Sequence, residues 1–104
     1  MITTTSETVP GHNISAHLGV VCGNTVRAKH VGRDIMAGLK TIVGGEVTGY
    51  TDMLQESRNQ ATDRMIAQAR AMGADAVITV RFTTSQVAQG MSEMLAYGTA
   101  VKLS

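Results

Sequence analysis

The chain has 104 residues, a formal charge of +1 and one cysteine. That length supports one domain, residues 1–104, with a core of its own and little surplus. The near-neutral charge leaves no basic field for a nucleic-acid partner, and a lone cysteine cannot close an internal disulfide, which fits a reducing cytoplasm. Apolar residues reach 43 % but aromatic ones only 3 %, so the expected core is globular and built from Val, Ile, Leu, Ala and Met. Scarce rings also remove the stacking platform that single-strand binders use. The opening MITTTSETVPGH has neither the charged nor the apolar region of a signal peptide, and no apolar run approaches the roughly 18 residues of a membrane span. A cytoplasmic chain with no membrane partner is expected.

The run ITTT at 2–5 is β-prone and is closed by the turn signal Pro10-Gly11. From Ile14 to Ala28 the pattern is again strand-like, with Ile14, Ala16, Leu18, Val20 and Cys22 sharing one parity and Gly23-Asn24 marking a bend. Val31, Ile35, Leu39 and Ile42 then form the stripe of a short helix that Gly44-Gly45 stops. A longer helix is expected from Thr51 to Met72, with Leu54, Ala61, Met65, Ala69 and Met72 on its buried stripe and Gly73 at its end. ADAVITVRF at 74–82 alternates Ala76, Ile78, Val80 and Phe82 against Asp75, Thr79 and Arg81. The last strand, Met91 to Leu103, follows a tight turn at Gln89-Gly90 and puts Leu95, Tyr97, Thr99, Val101 and Leu103 on one face. The order ββααββ predicts a single α+β domain, an antiparallel sheet with helices on one side.

Five stretches in this order carry a resemblance: GVVCG at 19–23, HVGRDIMAGLKTIVGGE at 30–46, YTDMLQESRNQA at 50–61, MGADAVITVRF at 72–82 and AYGTAVKL at 96–103. They cover most of the chain, which is similar to the YbjQ-like family of heavy-metal-binding proteins. The resemblance implies a dodecin-like α+β fold and a homopentameric ring whose sheets join across subunits. It implies a divalent or soft metal ion as ligand but supplies no agreed ligand set, and the position of Cys22 is usually not cysteine in that family.

All three histidines and the cysteine fall between positions 12 and 30, as His12, His17, Cys22 and His30. These residue types are soft-metal ligands. Their spacing lacks the C-x-x-C or H-x-x-x-H pattern. On a regular strand His17 and Cys22, five apart, point to opposite faces, and His12 and Cys22 lie roughly 33 Å apart if fully extended. A metal site would therefore need turns or a second subunit. The competing expectation is that Cys22 is a small buried hydrophobe and that His12 and His30 are solvated. The seven methionines read as gap-fillers, since nothing groups them as a chelate.

Arg27, Lys29 and Arg33, with His30, make the one basic cluster, at the junction of strand and helix. A small anion or acidic metabolite is the alternative ligand there, and neutralisation by a neighbouring carboxylate such as Asp34 or Glu46 is the bland account. No nucleophile has a base nearby in sequence and no phosphate loop is present, so the expected role is binding rather than catalysis.

Overall fold

The structure is a computed structural model describing residues 1–28 and 48–104. The helix expected over 31–42, its glycine stop, and Lys29, His30 and Arg33 lie outside the described residues. Strands β1 (Ile2–Thr3) and β2 (Ile14–Ala28) precede helix α1 (Thr48–Ala71), and β3 (Ala76–Ala88) and β4 (Met91–Leu103) follow it. They form one four-stranded sheet in the order β1-β3-β4-β2.

The sheet is mixed, which corrects the antiparallel expectation. Both β2 and β3 run antiparallel to β4, but β1 runs parallel to β3, with Ile2 opposite Ala76 and Thr3 opposite Val77. The chain thus leaves β1 at one edge and enters β2 at the other in the same direction, which demands a crossover. Residues 4–13 make that crossing as a strap. The Thr4 amide donates to the Val77 carbonyl, the Val80 amide to Thr4 and the Thr79 amide to Ser6, each at 3.0 Å. At Pro10-Gly11 the His12 amide donates to the Val9 carbonyl at 3.1 Å and Gly11 takes φ 82°, the geometry of a type II turn. Val9 is thereby buried against Ala76, Ile78 and Val101, with Ile14 and Leu103 beside them.

The opposite face carries α1. Ser57, Ala61, Met65 and Ala69 are its buried row, spaced by four. They lie over Val21, Val77, Val80, Met94, Ala96 and Ala100. Leu54 and Met72, expected on the stripe, are 41 % and 40 % exposed, and Met72 lies past the helix end at Ala71. Small residues dominate this contact, so helix and sheet approach closely in a core that holds no ring among the described residues.

The helix ends as its sequence predicts. Gly73 has φ 79°, its amide donates to the Arg70 carbonyl at 3.0 Å and the Ala74 amide to Ala69 at 3.1 Å, the two bonds of a Schellman motif. Gln89-Gly90 joins β3 to β4, with Gly90 at φ 75°.

Of the four register shifts, at Ile14/Ala16 and His17/Gly19 in β2 and at Ile78/Arg81 and Gln86/Ala88 in β3, two decide the faces of the core and the site. One lies in β3, where Ile78 faces Thr99 but Arg81 faces Tyr97, so Thr79 and Val80 share one β4 position and Thr79 takes φ 54°. Ala76 and Ile78 therefore pack under the strap and Val80 under α1, rather than on one face as expected. The other lies in β2 between His17 and Gly19.

Candidate functional site: the face opposite the helix

On β2 the residues Val21, Gly23 and Thr25 turn toward α1 and are buried, so Val20, Cys22, Asn24 and Val26 turn away and are exposed. The strap covers one end of that second face, and the remainder is bare among the described residues: Val20 is 76 % exposed, Val26 46 % and Tyr97 39 %.

Cys22 is exposed, which corrects the expectation of a buried, inert thiol. The reason is parity, since Val21 takes the core position and its neighbour must face outward.

His17 joins Cys22 on this face. His17 stands opposite Val101 and Cys22 opposite Tyr97, and positions 97 and 101 of β4 share a parity. Between them the pairing slips by one residue at Leu18-Gly19, where Gly19 takes φ 132°. The bulge cancels the odd spacing that was expected to separate the two side chains. The bend expected at Gly23-Asn24 does not occur there, since Gly23 pairs in register with Ala96 and Asn24 with Leu95.

Sharing a face does not make a chelate. Four β4 positions separate the two partners, about 13 Å at the rise of a strand, whereas ligands stand about 2.0–2.3 Å from a bound zinc. His12 is exposed in the strap, next to the Pro10-Gly11 turn. Among the described residues no three of His, Cys, Asp and Glu are grouped to hold an ion. His17 and Cys22 are thus brought to one exposed surface but not to one point.

Sequence reading missed the side chains that frame Cys22. The Cys22 amide donates to Gln68 Oε1 at 2.7 Å, and the Arg64 guanidinium donates to the Asn24 carbonyl at 2.6 Å. The Asn24 side-chain amide donates to Glu93 Oε2 at 3.1 Å. Arg27 is paired with Glu56 at 3.3 Å, so the first member of the basic cluster already has a carboxylate. Glu56, Arg64 and Gln68 fall at multiples of four along α1, one flank of the helix, and that period was the available signal. Read alone it looks like a solvated face.

Residues 1–104 match the family described as "Putative heavy-metal-binding". A UPF0145 protein of Hahella chejuensis (strain KCTC 2396) is 63 % identical over 101 residues, covering 97 % of each chain. A UPF0145 protein of Archaeoglobus fulgidus is 62 % identical over 103 residues, covering 99 % of this chain and 95 % of its own. A crystal structure of a protein of unknown function from the DUF74 family of Pediococcus pentosaceus superposes with a TM-score of 0.66 at 17 % identity, covering 100 % of this chain and 98 % of that one. The last likeness shows a shared fold. The chain belongs to this family, the one that the five stretches indicated. No helix among the described residues is long and apolar enough to cross a membrane.

Proposed function

We propose that this is a non-enzymatic, cytoplasmic binding protein, a homopentamer that takes a soft or divalent metal ion through His17 and Cys22, with His12 and His30 as further donors. The observation that carries the reading is the bulge at Leu18-Gly19, which turns His17 and Cys22 to one exposed face of β2. Family membership supplies the metal. Because His17 and Cys22 of one chain stand about 13 Å apart, an ion held by this face draws donors from more than one subunit. Binding therefore depends on the assembled ring. Arg27, Lys29 and Arg33 are the weaker candidates for an anion site, since Glu56 already compensates Arg27.

The test is calorimetric titration of the tag-free protein with Zn(II), repeated with Cys22→Ser and His17→Ala. A site lost in both variants and weakened by dilution below the assembly threshold supports the reading. Affinity should also fall as pH drops, because a histidine must be unprotonated to bind a metal. Zn(II) binding unchanged in both variants would overturn the residue assignment.

A further inference from the structure

Neighbouring amides of a regular strand point to opposite sides. In β3 two of them do not. The amides of Thr79 and Val80 both donate toward the amino-terminal segment, to the carbonyls of Ser6 and Thr4, each at 3.0 Å. The bulge creates this geometry and Thr79 bears its strain. Its φ is 54°, in the left-handed region, where a β-branched residue is an outlier. Such a backbone persists only where its surroundings hold it in place. Here the holding partner is the strap.

The strap itself is lightly attached. Of residues 4–13 only Val9 is buried, resting on Ala76, Ile78 and Val101. Strand β1 adds two paired residues ahead of it. The Thr4 amide reaches the Val77 carbonyl, and the Arg81 guanidinium donates to the Thr5 carbonyl, both at 3.0 Å. The hydroxyls of the segment bond within it. The Ser6 amide donates to Thr4 Oγ1 at 3.1 Å, the Thr4 and Ser6 hydroxyls stand 2.8 Å apart, and Ser6 Oγ donates to the Thr8 carbonyl at 2.6 Å. These local bonds survive if the segment leaves the sheet. At its far end the Pro10-Gly11 turn offers a pivot, since Gly11 has φ 82° and nothing lies within 4 Å of a Cβ built there. Few buried apolar contacts and exposed hydrogen bonds mark a segment that opens ahead of the whole fold.

We propose that residues 2–9, β1 and the first part of the strap, detach from the sheet as a unit, with Thr79 as their strained latch. The segment swings out about Pro10-Gly11 while β2, β3, β4 and α1 stay folded, and Thr79 then returns to ordinary β backbone. Opening uncovers the apolar floor of Ala76, Ile78 and Val101 and releases the Arg81 guanidinium from Thr5. Arg81 pairs with Tyr97 and Tyr97 with Cys22, so the three stand in one row across the sheet. The strap thus gates the charge presented on the face that carries Cys22, whether or not that face holds a metal.

Native-state amide exchange on the full chain tests this. The Thr79 and Val80 amides are expected to exchange at least about tenfold faster than the amides of β4, through an opening that mild denaturant scarcely accelerates. Val9→Ala removes the one buried anchor of the segment and should speed these two amides about tenfold further. Thr79→Asn accepts the left-handed backbone and should slow the Val80 amide about fivefold by holding the strap closed. Exchange of Thr79 and Val80 in step with β4 at every denaturant concentration overturns the strap, since it would open only with the whole fold. Rates unchanged by Val9→Ala overturn it as well, because the opening would then lie elsewhere. An unchanged Val80 rate in Thr79→Asn, or failure of that variant to fold, overturns the latch, since relief of strain would not favour the closed form.

Discussion

Gly23 of β2 passes directly beneath Ala61 of α1, so close that a Cβ at Gly23 would overlap the Ala61 carbonyl oxygen and the Met65 amide nitrogen. It would also lie 2.8 Å from the Arg64 carbonyl carbon. These are backbone atoms in the middle of a helix, and they cannot swing aside as the end of a side chain could. Gly23→Ala must lift α1 from the sheet, loosening the Ala61–Met65–Ala69 row. The expected cost is about 1–3 kcal/mol, the range for overpacking a tight core. A lowered urea midpoint at constant slope checks it. An unchanged midpoint would mean that helix and strand are not in contact here.

Gly73 offers the opposite kind of glycine. Nothing lies within 4 Å of a Cβ built there, yet its φ is +79°. Gly73→Val should therefore destabilise by about 1 kcal/mol or more through backbone strain alone. Gly73→Asn should cost less, because asparagine tolerates the left-handed region. Equal melting temperatures for the valine and asparagine variants would show that strain is not the cause.

These glycines illustrate how far the sequence could be read. A glycine within a strand pattern signals either a bulge or a close backbone approach, and the pattern alone does not tell which. Gly23 suggested a bend and proved to be the close approach, while Gly19 carries the bulge. That exchange decides the candidate site, because a single slip at Gly19 moves His17 to the face of Cys22. Local signals were legible where local physics decides: the Pro10-Gly11 and Gln89-Gly90 turns, the helix stop at Gly73, and the Ala61, Met65 and Ala69 row. The parallel partner of β1 was not, since two residues hold no record of which strand they will meet. Likewise Ser57 lacks the apolar character that would mark it as core, yet it completes the buried row of α1.

Asp75 predicts the acid limb of stability. Its carboxylate accepts the Leu103 amide at 2.9 Å and stands 3.5 Å from Lys102 Nζ. The Leu103 hydrogen bond holds the carboxyl below its ordinary value against an opposing desolvation, with the Lys102 charge and hydrogen bond as lesser contributions. A carboxyl lowered in the folded state contributes its stabilisation above the unfolded value, about 3.9, and loses it as pH falls through the folded value. Asp75→Asn should therefore melt lower than the parent above about pH 4 and converge with it at lower pH. Parallel melting curves for the two proteins across that window would refute the assignment.

Cys22 gives the last test, and it bears on the face as well as the thiol. Its side chain projects from the bare side of β2, between Val20 at 76 % exposure and the Asn24–Glu93 pair, with no part of the strap or of α1 above it. A small aromatic disulfide reagent should therefore label Cys22 in the dissociated chain within about tenfold of its rate in denaturant, since access rather than unfolding would limit the reaction. Zn(II) bound through this face should suppress labelling of the assembled protein, and His17→Ala should restore it, because His17 reaches the same surface through the Gly19 bulge. Labelling suppressed by assembly alone, without metal, would place Cys22 inside a subunit contact and move the metal donors elsewhere.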